Sequence, residues 1–342
     1  MEKYDAQVAR IKKKLAKMKV SDKALNQFGA KTHRYILREP IPEKDVVNYE
    51  EQLHITLPEA YKIFITRIGY GGAGPDHGLW IFSPDLFIGN NEFYKDPSLF
   101  LPLTFGPDTS NEEWKANTSK FYQKLSLEEE WKEDDRVYGG LSIIGDCGCG
   151  TMNRLVMNGE HKGKIVWTPG DCTVKPGFYE EDNFLDWYER WLDESILRDL
   201  QLFGVGNFAV RDKKSDEEVI RQYEEAIDVN TRKRCLSALL ERRSLAPSVF
   251  DIIKKDFAHE DEDIRRQVQA LLTKHAYETA KPLLKKFEAS YFGEVLNLIY
   301  AFADEHAADW KTEIETVLGG NSTEERLIDK VKELKSISLK QE

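Results

Sequence analysis

The chain has 342 residues, 41% hydrophobic and 32% charged, enough for two domains with real cores and neither low-complexity nor collagen-like. Lys+Arg 49 against Asp+Glu 60 leaves a formal charge of −11, which repels phosphate backbones, so no nucleic-acid partner is expected and a basic protein partner is favoured. Only 4 cysteines exclude a disulfide framework, no window nears the ~18 apolar residues of a membrane span, and the start Met1–Leu15 lacks the apolar core of a signal peptide. The expectation is a soluble cytoplasmic protein with no membrane partner.

Along the chain, Val8, Ile11, Leu15 and Met18 are spaced by three and four between lysines. This predicts an amphipathic helix, free or docked as an arm on the main body. Pro40 and Pro42 oppose helix until Glu43, after which Val46, Val47, Tyr49, Glu50 and Leu53 form a stripe. Pro58 can open the next helix, whose apolar face (Tyr61, Phe64, Ile65, Ile68) runs into Gly69-Tyr70-Gly71-Gly72, a strong stop.

Strand-like runs follow at Leu79–Phe82, Leu101–Phe105, Leu141–Ile144, Arg154–Met157 and Lys164–Trp167, the last two joined as a hairpin through Asn158-Gly159. Between Asp108 and Arg136 lies a polar, partly helical excursion carrying Trp114, Phe121, Tyr122, Leu125 and Trp131. Phe184, Trp187, Tyr188, Trp191 and Leu192 predict a closing helix with an aromatic face.

From Ser215 onward strand signal is almost absent. A shift of roughly 31 residues aligns Ile264, Val268 and Leu271 with Val295, Ile299 and Phe302, and Leu283 and Phe287 with Ile314 and Leu318. A similar shift pairs Ser237–Leu240 with Gln269–Leu272. Helix pairs of this kind cannot bury an apolar face alone and would stack; an irregular helical bundle is the other reading. Thr323 to Lys335, with Leu327, Ile328, Val331 and Leu334 on one face, suits a terminal cap.

Several groups could carry chemistry. Cys147-Gly148-Cys149 with Cys172 and Asp146 or His161 could hold zinc, but a C-x-C without a second tight pair is not structural-zinc spacing, and glycines flanking small cysteines equally make a tight bend. Gly69–Pro75 follows a helix rather than a strand and lacks a closing Gly-Lys-Ser/Thr, so it reads as helix termination rather than a phosphate loop. Asp76-His77 could form an acid/base pair, but His77 beside a turn reads as a solvated loop residue, and His259, His275 and His306 are too far apart for a two-ligand helical site. No enzyme is expected, and no catalytic residue, cofactor or metal. Two acidic runs are the candidate partner-binding residues: Glu128, Glu129, Glu130, Trp131, Glu133, Asp134 and Asp135, then Glu260, Asp261, Glu262 and Asp263. They are either solvated faces and helix starts or a surface that steers a basic partner, with Trp131 as an anchor if exposed and Trp114 and Tyr122 open to the same choice.

Ile41-Pro42, Tyr49-Glu50, Leu53, Leu57-Pro58-Glu59-Ala60-Tyr61, Phe64 and Gly69-Tyr70-Gly71-Gly72 together resemble the opening of the Smi/Knr-type family of the SUKH superfamily. Ile144–Gly150, Leu155-Val156, Gly163–Trp167 and Phe184–Trp187 continue that family's order. The C-terminal half resembles HEAT-like repeats more loosely, best at Asp261–Leu271, where no repeat has the full Pro/Asp/Arg set. The expected fold is therefore an α+β, mostly antiparallel sheet with flanking helices, followed by an all-α HEAT-like helical-repeat domain. The expected boundaries are a helical arm 1–37, a SUKH-like domain 38–195, a linker 196–214 and a repeat domain 215–342. The resemblance implies a non-catalytic protein-binding scaffold: an immunity protein neutralising a polymorphic or contact-dependent toxin, often a nuclease, or a regulatory scaffold. The partner itself is not fixed by fold.

Overall fold

The protein is described by a computed structural model covering residues 2–82, 101–122, 137–169, 174–202, 208–210, 214–320 and 324–341. Two compact units emerge, interleaved along the chain: 1–16, 25–192 and 206–212 form the first, and 17–24, 193–205 and 213–342 the second. The first is α+β and the second, among the described residues, is helical throughout.

The first unit starts with the leading part of α1 (Asp5–Ser21), whose Val8, Ile11 and Leu15 are buried at the predicted spacing. Beside this apolar stripe runs a polar one at the same helical period: Gln7, Arg10 and Lys14. All three reach Glu189, at 3.2, 2.8 and 2.9 Å. Asp5 pairs with Arg67 at 2.7 Å and the Tyr4 hydroxyl donates to Glu59 at 2.9 Å, so this stretch of helix is bound to the α+β body at both faces.

After the short α2 (Ala30–His33), α3 (Glu43–Leu53) and α4 (Glu59–Arg67) begin directly behind Pro42 and Pro58, whose fixed φ suits a helix start. Glu50 holds the turn between them. Its carboxylate accepts the Leu57 N–H at 2.8 Å and the Lys62 ammonium at 2.7 Å, which gives the Glu in this segment a structural task. Gly72 then bridges Leu37 on one side and Leu79 on the other. Its φ is +110°, and an added Cβ would sit 2.3 Å from the Ile36 carbonyl, so only glycine permits this crossing.

The sheet is antiparallel in the order β1 (Leu141–Gly148), β2 (Thr151–Val156), β3 (Ile165–Thr168), β4 (Gly177–Phe178). The hairpin predicted through Asn158-Gly159 is present: Leu155 faces Ile165 and Arg154 faces Val166. Two predicted strands differ. Leu79–Phe82 forms single bridges to Gly72 and Gly145 rather than a ladder. Leu101–Phe105 pairs with nothing in a ladder, because Pro102 lacks a donor N–H and Phe105 turns inward to meet the Trp114 ring at 5.2 Å.

Trp114 lies on α5 (Asn111–Tyr122) and joins Val137, Tyr138, Leu141, Val156 and Val166 in one cluster. The larger aromatic core forms around α6 (Phe184–Asp199), where Phe184 meets Tyr61 and Phe64 at 4.9 Å each and Tyr188 meets Phe64 at 4.7 Å. Such pairs each add about 0.5–1.5 kcal/mol beyond burial. The boundary between units falls within α1 and within α6.

The second unit runs α7 (Asp216–Glu225), α8 (Val229–Leu240), α9 (Pro247–Ile253), α10 (Glu262–His275), α11 (Tyr277–Leu284), α12 (Phe292–Phe302), α13 (Lys311–Gly319) and α14 (Glu325–Lys340). Within it α8 packs on α10, α10 on α12 and α12 on α14, while α7, α11 and α13 flank them. Side-chain hydrogen bonds cross these packings at recurring separations of 30 to 34 residues: Gln267 to Ser237, Lys274 to the Leu240 carbonyl, Tyr277 to Asp309, Tyr300 to Glu333. Leu327, Val331 and Leu334 are buried on α14, which continues past the predicted Lys335 to Lys340. Two carboxylates serve as internal posts: Asp304 takes Lys17 at 3.1 Å, and Asp199 takes Arg326 and Lys330, the latter at 2.7 Å.

Glu189 is 2% exposed. Burial alone would raise its carboxyl, but the hydrogen bonds and charges of Arg10 and Lys14 outweigh this and hold it at about 2, against an ordinary value of 4.5. A depressed carboxyl stabilises the fold fully above its unfolded pKa and loses that stabilisation as pH falls through the folded one. A difference of this size corresponds to ~3 kcal/mol. Glu189→Gln is therefore expected to lower the urea midpoint at pH 7. The gap from the parent protein should close as pH falls from 4.5 toward 2; a gap independent of pH would show that the charge contributes nothing.

Candidate functional site

The second acidic run sits at the start of α10, and its four carboxylates have different tasks. Asp261 caps the helix, accepting the Ile264 N–H at 3.1 Å, and also meets Lys233 at the same distance. That N–H first, and Lys233 after it, hold the Asp261 carboxyl below its usual range. Asp263 pairs with Lys233 at 2.7 Å. Glu260 and Glu262 are exposed. One basic residue on α8 thus pairs with two of the four carboxylates, neutralising one charge, and leaves two glutamates outward. The other run, Glu128, Glu129, Glu130, Trp131, Glu133, Asp134 and Asp135, lies outside the described residues. The two runs are therefore not placed relative to each other.

Trp114 is core, 2% exposed, stacked toward Tyr138 and edge-on to Phe105, and is no surface anchor. The side chain of Tyr122 is not among those described.

Cys147-Gly148-Cys149 makes the bend between β1 and β2, where Gly148, Cys149 and Gly150 all have positive φ and Gly148 faces Thr151. The Asp146 carboxylate accepts the Gly148 N–H at 2.7 Å, closing the turn. Burial first, and Asp76 after it, push the Cys147 thiol well above its ordinary value, which makes it a poor nucleophile. Among the described residues, no three His, Cys, Asp or Glu side chains converge to hold a metal ion; Cys172 lies outside them.

His77, His259 and His306 each have a structural partner. The His77 backbone N–H donates to the Asp146 carbonyl at 3.1 Å, and its ring lies 5.2 Å from that of Phe28. His259 Nδ1 accepts the Asp261 N–H at 3.0 Å, and His306 stacks on Tyr277 at 3.9 Å. Desolvation, with Lys274 adding to it, pushes His275 down to about 3, so it is neutral at physiological pH. Gly69–Pro75 ends α4 and carries the backbone crossing at Gly72.

Two features escape the sequence reading. The Gln7, Arg10, Lys14 stripe could have been seen as a polar row at helical period beside the apolar one, but its target Glu189 lies 175 residues from Lys14. Lys233 had no signal at all, since its pairing with Asp263 spans 30 residues.

Residues 40–190, under half of the chain, match the SMI1 / KNR4 family (SUKH-1), consistent with a SUKH-type domain there. The match covers α3, α4, the sheet and the aromatic start of α6. No curated protein and no solved structure matches the chain. No helix among the described residues is long and apolar enough to cross a membrane.

The division of labour within the acidic run is measurable. Asp261→Ala removes a helix cap and should cost about 1 kcal/mol, whereas Glu262→Ala should stay within ~0.5 kcal/mol of the parent protein. Equal effects in chemical denaturation would contradict the distinction.

Proposed function

We propose that the protein is a non-catalytic inhibitor that binds another protein, an immunity protein that neutralises a polymorphic or contact-dependent toxin. The observation that carries this reading is the SUKH-type domain at 40–190. The chemistry of the described residues supports it: the Asp146 carboxylate closes the cysteine bend, and Glu189, Asp199 and Asp304 hold cations within the fold. Burying roughly 1,200–2,000 Å² with a few anchors suffices for tight inhibition without any reaction.

The net charge of −11 favours a basic partner such as a nuclease. The exposed Glu260 and Glu262, together with the run 128–135, would act by steering, since rim charges act mainly on the association rate. The presence of two units with separate cores favours a second reading, a regulatory scaffold of the Smi/Knr type holding one partner on each unit.

Co-expression with the product of a neighbouring toxin gene tests the first reading. Host survival and a co-purifying complex are expected; unchanged killing with no complex would remove it. Within such a complex, Glu260→Gln with Glu262→Gln should slow association several-fold and flatten its salt dependence, leaving dissociation unchanged. An unaltered association rate would take these two residues out of the contact surface.

A further inference from the structure

Backbone pairing in the α+β unit continues beyond β1. The Trp80 N–H donates to the Ile144 carbonyl at 2.9 Å, and Leu79 and Gly72 exchange backbone bonds at 2.7 and 3.0 Å. Gly72 in turn bridges Leu37. Single antiparallel bridges thus carry the hydrogen-bonding direction from Gly145 out to the strip Ile36-Leu37-Arg38.

Within that strip the bonds alternate. The Arg38 N–H donates to the Gly71 carbonyl at 3.0 Å, and the Ile36 carbonyl accepts from the Ala73 N–H at 2.8 Å, so both flanking residues turn inward. Strand alternation directs the N–H and C=O of Leu37 the other way. Among the described residues neither group has a hydrogen-bond partner. The strip is a sheet edge, with one donor and one acceptor placed to exchange bonds with a single residue of another extended chain.

The turn before the strip decides what its side chains offer. Arg34 and Tyr35 both have left-handed backbone, φ +50° and +55°, and the Ile36 N–H closes the turn on the His33 carbonyl at 2.8 Å. Neither is glycine, so the fold accepts strain here. The strain secures the Tyr35 ring, 1% exposed and stacked toward Trp191 at 6.3 Å. The chain leaves the turn with Ile36 in solvent, 57% exposed. Arg38 shares that face and is exposed, while Leu37 lies half-buried against Gly69 on the other.

We propose that Ile36–Arg38 is a docking edge for an extended strand of the protein partner, added antiparallel to the sheet. The partner residue opposite Leu37 exchanges both backbone bonds, an apolar residue lies against Ile36, and an acidic one lies against Arg38. Antiparallel addition follows every pairing described in this unit. A second copy matches less well, because pairing about Leu37 sets each Ile36 against the other chain's Arg38. The proposal rests on the protein-binding reading, and its test uses a synthetic peptide rather than a toxin, so either can fail without the other.

The full chain, labelled with ¹⁵N, is titrated with acetyl-Lys-Glu-Val-Val-Thr-amide, whose first four residues fall opposite Glu39, Arg38, Leu37 and Ile36. Saturable shifts centred on the Leu37 amide, with slower hydrogen exchange of that amide, are expected. Methylating the backbone nitrogen of the first Val removes one donor without touching the protein, and should weaken binding roughly tenfold. Ile36→Thr, at an exposed position, should weaken it several-fold with the spectrum otherwise intact. No saturable shift, or undiminished binding of the methylated peptide, would overturn the proposal. So would Leu37 shifts that follow protein concentration without peptide, which would assign the edge to a second copy.

Discussion

Burying one face of a helix needs a second surface, and in both units a distant stretch of chain supplies it. The leading part of α1 is closed by α6, with Glu189 gathering Gln7, Arg10 and Lys14 at the contact. In the helical unit α10 closes on α8, α12 on α10 and α14 on α12, and polar side chains cross the first and last of these packings at separations of 30 to 34 residues. Apolar burial supplies most of the driving force. The buried carboxylates add register, because a misplaced helix would leave Glu189, Asp199 or Asp304 desolvated and unpaired.

This requirement sorts the acidic residues into two kinds. Carboxylates that hold cations within the fold are consumed by it; those facing solvent are available to a partner. The run at Glu260–Asp263 contains both kinds within four positions, since Lys233 pairs with Asp261 and Asp263 while Glu260 and Glu262 are exposed. The charge offered for recognition is accordingly smaller and better defined than the composition suggests.

Sequence periodicity revealed what was local. Helix starts behind Pro42 and Pro58, the β2–β3 hairpin, the aromatic face of α6 and the buried row of α14 all follow from spacing and turn chemistry. The glycine-flanked cysteines gave two readings, and the positive φ values at Gly148 and Cys149 favour the bend. The strand expected at Leu101–Phe105 failed because apolar runs signal burial before they signal pairing, and Phe105 is buried without a ladder. Pairings across long separations left no trace in composition. Lys233 to Asp263 and Gln267 to Ser237 depend on helix stacking, and only the fold brings them together.

Under the proposed function this molecule obstructs a protein partner by binding alone, with no reaction of its own. The most direct measurement titrates a fixed amount of the cognate toxin's catalytic domain with the protein and follows residual toxin activity. A linear fall to zero at one equivalent is expected, with activity recovered when the complex is dissociated. Complete inactivation at a small fraction of an equivalent, or a toxin that stays modified after separation, would contradict it.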